Sequence, residues 1–204
     1  MEGKVLEKLL IKRIMHHLYK TEFLNDNQYG FTPQMSTTDA AMEVRQYIQP
    51  QLERGSVVII ASLDVRGAFD SAWWPAILKG LRDANCPGNL YHHAQDYLKE
   101  RKAVITINSF STEKSITKGC PKGSCCSPGF WNIQYNPLLN LKYTNHSKVV
   151  AFADDLIIMI KAESIGEAEN IANVELNKIT EWATDNKIRF NKEKSKVMLM
   201  TRRK

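Results

Sequence analysis

Along the first twenty residues, apolar side chains return every three or four positions: Val5, Leu6, Leu9, Leu10, Ile14, Leu18 and Tyr19. That spacing predicts an amphipathic helix packed on a core. A stretch punctuated by Gly and Pro, NDNQYGFTPQMSTTD, predicts a loop. Ser36 then stands as the N-cap of a helix from Thr37 to Glu53. SVVIIASLD is a near-continuous apolar run ending in Asp64, the pattern of a strand buried on both faces. Helical spacing returns over 72–83 and 88–101, broken at CPG. AVITINSFSTEKSITKG alternates apolar and polar residues about a central turn and predicts a hairpin. The loop GCPKGSCCSPG leads into a helix ending near Lys142. Ala168, Ile171, Ala172, Leu176, Ile179 and Ala183 mark a further helix, and KIRFN and KVMLMT close the chain as short strands. Strands and helices interleave with hairpins between them, which predicts an α+β fold with a mainly antiparallel sheet packed on helices.

One stretch breaks its own pattern. VVAFADDLIIMI, residues 149–160, sets ten apolar residues around two adjacent carboxylates, Asp154 and Asp155. Its two halves predict strands, with the Asp-Asp pair as a two-residue turn. Neighbouring carboxylates repel each other, and burying either one unpaired costs free energy. A bound cation would neutralise both. Asp64, closing the earlier apolar strand, is a third acid of the same kind. With those strands side by side, three carboxylates meet at one sheet edge. Hard oxygen ligands suit Mg²⁺, and two such ions ~3.5–4 Å apart activate an attacking oxygen and steady a leaving one. Each acid taken alone reads equally as a turn former, so the spacing leaves both readings open.

Composition narrows the classes. The 204 residues are 43% hydrophobic and 25% charged, a globular rather than disordered balance for one domain with or without a small lobe. A net charge of +6 fits a polyanionic partner. The run KEKSKVMLMTRRK from Lys192 concentrates positive charge and reads equally as a solvated tail or a nucleic-acid contact. Of four cysteines, Cys120, Cys125 and Cys126 crowd into CPKGSCC, with Cys86 apart. That spacing matches neither a disulfide framework nor a zinc knuckle, so reduced thiols in an intracellular compartment are expected. No apolar run approaches the ~18 residues of a membrane span, so no membrane partner is expected. The N-terminus lacks the apolar core of a secretory signal. A mitochondrial presequence is disfavoured by Glu2 and Glu7.

Six blocks run in order through nearly the whole chain: LEKLLIKRI, NQYGFTPQMSTTDAAMEV, SLDVRGAFDSAWW, GCPKGSCCSPGFWN, AFADDLIIM and EWATDNKIRFNKEKSKVML. The set resembles the reverse transcriptase domain of non-LTR (LINE-like) retrotransposons, in particular the branch that inserts into ribosomal RNA genes. The first two blocks are similar to fingers-side blocks. The third, fourth and fifth resemble palm motifs A, B and C, and the last resembles the closing lysine-containing block. The resemblance implies partial fingers over about 1–56 and a polymerase palm over about 57–204. It implies an RNA-directed DNA polymerase acting in the nucleus, with an RNA template, a DNA primer and dNTPs as partners. The primer 3′-hydroxyl attacks the α-phosphate of a dNTP and pyrophosphate leaves. Asp64, Asp154 and Asp155 would then hold two Mg²⁺ ions, replaceable by Mn²⁺. Asp155 would be the weaker ligand, and the Val65 carbonyl would face one ion. Phe69 matches a steric-gate aromatic whose ring excludes a 2′-hydroxyl. Gly123 lets backbone approach the nascent base pair. Lys194 matches a lysine near the leaving pyrophosphate, where it donates a proton or stabilises charge; it reads otherwise as a surface lysine.

The chain also departs from the pattern. Motif B of the family reads Pro-Gln-Gly, where this sequence has Pro121-Lys122-Gly123. Lysine has donors but no acceptor, so it can contact phosphate but cannot reproduce the glutamine's hydrogen bonds. The upstream block with a triphosphate-gripping arginine, the thumb and the endonuclease of such elements are not matched, which sets the expectation of a partial domain. A second reading is therefore a catalytically inactive nucleic-acid-binding fragment. A third, a two-metal nuclease, leaves Phe69 and motif B unexplained. Asp70 is expected to cap the following helix, and Arg66 to be exposed or to touch triphosphate. The pairs His16-His17 and His92-His93 lie on helices, where adjacent side chains point about 100° apart and chelate poorly. Trp73, Trp74 and Trp131 are expected in the core.

Overall fold

The computed structural model describes residues 2–202. Met1, and Arg203 and Lys204 of the basic tail, lie outside them. In chain order the elements are α1 (Glu2–Lys20), α2 (Thr37–Glu53), β1 (Val57–Leu63), α3 (Ala68–Ser71), α4 (Trp74–Asp83), α5 (Gly88–Leu98), β2 (Lys102–Ile107), β3 (Phe110–Ser115), α6 (Ser127–Leu139), β4 (Ser147–Phe152), β5 (Asp155–Ala162), α7 (Ile165–Asp185) and β6 (Lys196–Met200). They form two compact units, each built from two separate stretches of chain.

The first unit takes residues up to Leu24 and 69–134. Ile14, Leu18, Ile77, Leu81, Leu98, Phe130 and Ile133 make its core. The stripe predicted on α1 is buried only at Leu10, Ile14 and Leu18: Val5, Leu6 and Leu9 are 60%, 69% and 54% exposed, and Tyr19 is exposed at the other end. Close packing needs glycine at position 80, where a Cβ would meet Ile133 Cγ2 at 2.6 Å. The expected helix over 72–83 is α4, which starts two residues later at Trp74; the short α3 precedes it across Ala72–Trp73, and Pro75 sits in the first turn of α4 where its missing N–H costs nothing. α5 ends at Leu98 rather than 101, and α6 at Leu139 rather than near Lys142. The predicted hairpin is β2–β3, exposed along both strands, with Lys102 and Glu113 paired across it at 2.7 Å.

The second unit takes residues 25–68 and 135–204. Its sheet runs β4-β5-β1-β6, antiparallel throughout. The α+β class with a mainly antiparallel sheet is what the pattern predicted. Strand alternation sends Val58, Ile60, Val150, Ile157 and Met159 toward a cluster with Ala40, Val44 and Ile48 of α2. The alternate residues Ile59, Ala61, Leu156, Ile158 and Ile160 are buried too, and α7 contacts β1 and β5. β1 is thus buried on both faces, as its unbroken apolar run required. α2 begins with a capping box: Ser36 Oγ accepts from the Asp39 N–H, and the Asp39 carboxylate accepts from the Ser36 N–H. Lys148 pairs with Glu43, linking β4 to α2.

Two expectations fail in this unit. KIRFN forms no strand; Phe190 makes a single bridge to Val65. The β4–β5 turn is Ala153-Asp154, one residue earlier than expected, because Phe152 pairs with Asp155 as the first residue of β5.

Candidate functional site

Register brings the acids together. β1 and β5 pair from Val57 opposite Ala162 to Leu63 opposite Leu156. One step further along the same register sets Asp64 against Asp155, while the tight turn puts Asp154 beside it. Asp64 and Asp154 are half-buried and Asp155 is exposed. Partial desolvation by the surrounding protein, then the charges of Asp154 and Asp64, push the Asp155 carboxyl above its ordinary value, and Lys194 opposes them. Four of the residues singled out from the sequence therefore share one end of the sheet. A cavity of about 440 Å³ opens beside Asp155, lined by Thr37, Val44, Ser62, Phe152 and Ile157 among others.

Lys194 is there because the segment 191–195 folds back on Asp64. The Asn191 N–H donates to the Asp64 carbonyl at 2.7 Å, and the Asp64 N–H donates to Ser195 Oγ at 3.3 Å. The Arg66 N–H donates to the Arg189 carbonyl at 2.8 Å, which completes a bridge of the non-hydrogen-bonded antiparallel type around Val65 and Phe190. That bridge uses the carbonyl of Asp64, not that of Val65.

The turn is held as well. The fully buried Tyr135 hydroxyl donates to the Asp154 carbonyl at 3.3 Å, and its ring meets Trp182 edge-on at 5.8 Å. Burial, with the charges of Asp154, Tyr143 and Asp155, keeps this phenol far above its ordinary value, so it remains a donor. Gln28 and Gly30 contact Ala153. The sequence assigns no role to Tyr135, Gln28 or Gly30. Gln28 sits inside a quoted block, but nothing local marks it, since its partner is 125 positions away.

Three carboxylates and a main-chain carbonyl are hard oxygen donors and suit a divalent cation such as Mg²⁺. Among the described residues, no three Asp, Glu, His or Cys side chains are drawn close enough to enclose one ion. Relief of the charge repulsion around Asp155 is what a cation would supply.

Phe69, Lys122 and Gly123 belong to the other unit. Phe69 is half-buried and packs edge-on against Trp131 at 6.5 Å. The Cys120 N–H donates to the Phe69 carbonyl and the Gly119 N–H to the Ala72 carbonyl, both at 2.7 Å, so the motif B loop is tied to the α3 segment. Glu7 braces the same loop, accepting from Ser124 Oγ at 2.9 Å and the Cys125 N–H at 3.0 Å. Lys122 is exposed. Gly123 has φ +81°, which favours glycine, and a Cβ there would meet open space.

The remaining expectations divide. Arg66 is exposed. Trp131 is fully buried, and Trp73 and Trp74 are half-buried, with Trp74 Nε1 donating to the Gly119 carbonyl at 2.9 Å. Asp70 caps nothing at α4, whose N-cap is Trp73 without a side-chain hydrogen bond. His17 meets the Ala84 carbonyl at 2.9 Å, and His92 meets the Tyr91 ring edge-on at 5.6 Å. All four cysteines are free thiols.

Residues 1–204 match the family model described as reverse transcriptase (RNA-dependent DNA polymerase). The chain is 32% identical, over 88% of its length, to a retrovirus-related Pol polyprotein of the type-1 retrotransposable element R1 from Bradysia coprophila. It is 26% identical, over 94% of its length, to an RNA-directed DNA polymerase of the mobile element jockey from Drosophila melanogaster. The chain spans about a fifth of these relatives, 17% and 22% of their lengths. Apo telomerase from Candida tropicalis shares the fold, with a TM-score of 0.70 at 11% identity over 96% of this chain and 36% of that one. The ordered motifs, the sheet that carries the acids and these likenesses agree: the chain belongs to the reverse transcriptase (RNA-dependent DNA polymerase) family, of the non-LTR retrotransposon type.

Proposed function

We propose that this chain carries the nucleotidyl-transfer centre of an RNA-directed DNA polymerase, extending a DNA primer on an RNA template with dNTPs. One observation carries the reading: the β1–β5 register sets Asp64 against Asp155 and beside Asp154, within motifs standing in polymerase order. The reverse transcriptase family is divalent-metal dependent, and we take the metal here to be Mg²⁺, with Mn²⁺ as a substitute. Asp64 and Asp154 would be its principal ligands, Asp155 a weaker one and the Val65 carbonyl a fourth donor. Two ions so bound would lower the pKa of an attacking 3′-hydroxyl, easing loss of its proton, and would steady the charge on the departing pyrophosphate.

The chain's own residues supply the rest. Lys194, close enough to Asp155 to oppose its charged neighbours, is suited to stabilise or protonate pyrophosphate. Phe69 would exclude a 2′-hydroxyl by bulk. Gly123 would admit backbone close to the new base pair, and Lys122 would contact phosphate. These last three roles rest on motif position. The nucleic-acid partners are supported by the family and by a telomerase of this fold, from Candida albicans, solved with a fragment of telomeric RNA.

The test is primer extension on an RNA template with Mg²⁺, beside template–primer binding as a function of salt. Extension by the parent, abolished in Asp64→Asn and Asp154→Asn, is the expected result. Variants that extend as well as the parent overturn the assignment. The exposed Lys122, in place of the family glutamine, favours one competing reading, a catalytically inactive binding fragment. Salt-sensitive binding with no extension would establish it.

A further inference from the structure

The acidic turn is held in a conformation that alanine rarely adopts. Ala153 has φ +58°. What holds it comes from the loop before α2. Gln28 is 5% exposed. Its Oε1 accepts from the Ala153 N–H at 3.0 Å and the Gly30 N–H at 2.9 Å, while its Nε2 donates to the Ala153 carbonyl at 3.1 Å. Only one amide orientation works, because the reverse would set an NH₂ group against two N–H donors. Gln28 is itself fixed: its N–H donates to the Asn25 carbonyl at 3.1 Å, and its carbonyl accepts from Thr32 Oγ1 at 2.7 Å. The Tyr29 N–H donates to the Ala151 carbonyl and the Ala151 N–H to the Asn27 carbonyl, both at 2.8 Å, so the loop runs along the open edge of β4. Gly30 closes the contact. A Cβ there would overlap the Ala153 backbone nitrogen and crowd the Phe152 carbonyl carbon at 2.8 Å.

A turn that only had to reverse the chain would take glycine at this φ and need no buried partner. Here the side-chain amide of Gln28 reads both peptide groups of Ala153, the residue immediately before Asp154. We propose that Gln28 and Gly30 are positioning residues, a clamp that fixes the hairpin tip so that Asp154 and Asp155 present their carboxylates to a divalent cation. The clamp itself stands on hydrogen bonds and packing. Its consequence for cation binding rests on the metal-site reading above.

The test compares the full chain with Gln28→Met, which keeps the length and loses all three hydrogen bonds, alone and combined with Ala153→Gly. Two readouts separate the clamp from the metal site. The first is amide hydrogen exchange. Gln28→Met is expected to speed exchange of the Ala153 amide by about tenfold while leaving β1 amides such as Ile59 unchanged. An unchanged Ala153 rate overturns the clamp whatever the metal does. The second is Mn²⁺ binding, read by electron paramagnetic resonance of the free ion. The parent is expected to bind, Asp154→Asn not to bind, and Gln28→Met to bind about tenfold more weakly. Ala153→Gly, which removes the backbone strain, is expected to restore the thermal midpoint of Gln28→Met but not its Mn²⁺ affinity. Restored affinity in that double variant would reduce the clamp to a fold-stabilising contact and overturn its positioning role. A parent that binds no Mn²⁺, or an Asp154→Asn variant that binds as well as the parent, would instead overturn the metal-site reading, with the Ala153 exchange rate still deciding the clamp.

Discussion

Glu175 is a fully buried acid on α7, and removing it should loosen the sheet that bears the candidate site. Its carboxylate accepts from the Thr144 N–H at 2.7 Å, Lys178 Nζ at 2.8 Å and Ser147 Oγ at 3.3 Å. It thereby ties α7 to the segment entering β4, the strand whose far end leads into the acidic turn. Burial alone would raise this carboxyl, but hydrogen bonds from Lys178 and Thr144 outweigh it and hold it below the ordinary glutamate value. Glu175→Ala would strand a Thr144 N–H and a lysine. Breaking a buried pair costs about 3–5 kcal/mol. Lys178 keeps a side-chain exposure of 33% and can turn to water, which lowers its share. We therefore expect a loss of about 2–4 kcal/mol. At about 2–4 °C per kcal/mol for a chain of this size, a 3 kcal/mol loss lowers the midpoint by about 6–12 °C. Glu175→Gln keeps an acceptor for Thr144 and should cost about 1–2 kcal/mol. The sign with pH follows from the lowered carboxyl. The stability it contributes is present above the unfolded-state value and is lost as pH falls through the lower folded-state value. Urea unfolding across the carboxylate range should thus show the gap between parent and Glu175→Gln closing toward acid. A gap independent of pH, or Glu175→Ala as stable as the parent, would refute the reasoning.

Three further outcomes are expected. Ser36→Ala removes the cap of α2 and should cost about 1 kcal/mol in urea unfolding; no change would mean the capping box is not stabilising. Burial pushes the Cys120 thiol up to about 11 and the Cys126 thiol up to about 12, and both are buried where Cys125 is only half-buried, so alkylation of the native chain at mildly alkaline pH should reach Cys125 before either. Peptide mass spectrometry reads the order, and early labelling of Cys126 would contradict it. If Phe69 gates the sugar, Phe69→Val should raise ribonucleotide over deoxynucleotide incorporation in primer extension, and an unchanged ratio rules the gate out.

Local rules carried much of the architecture. Ser36 three residues before Asp39 announces a capping box, and the unbroken apolar run of β1 announces burial on both faces. The placement of Asp64 at the same end of the sheet as Asp154 and Asp155 was also legible, since acids ending two apolar strands can share an edge once those strands pair. The failures have a common cause. The turn shifted to Ala153-Asp154 because tertiary hydrogen bonds from Gln28 support an alanine at positive φ, which local propensity disfavours. KIRFN reads as a strand by composition, yet only Phe190 forms a β-bridge, to Val65, because the chain turns over 191–195, where the Ser195 N–H donates to the Asn191 carbonyl. Glu175 falls on the buried positions Ala168, Ala172, Glu175, Ile179 and Trp182 of α7. A charge on an apolar stripe was a visible signal of a buried acid with partners, and only the partners needed the structure.

The hydrogen bonds that hold the acids in place fall on main-chain atoms: Gln28 on Ala153, Tyr135 on the Asp154 carbonyl, and Asn191 and Ser195 on the Asp64 carbonyl and N–H. A site organised this way fixes the backbone and keeps carboxylate oxygens for a ligand. Ser195 tests the Asp64 side of that arrangement. Its hydroxyl accepts from the Asp64 N–H at 3.3 Å and donates to the Asn191 carbonyl at 2.8 Å. The first bond is long and the segment half-exposed, so Ser195→Ala should cost only about 1 kcal/mol of stability. Its effect on the site should be larger than that figure suggests, because Asp64 and Lys194 lose a shared anchor at once. Mn²⁺ affinity should fall about tenfold, in the range seen when a group supporting a metal ligand is removed. Ser195→Thr keeps the hydroxyl and should preserve the affinity. Loss of stability in Ser195→Ala with unchanged Mn²⁺ binding would mean that the 191–195 turn braces the fold without positioning the acid.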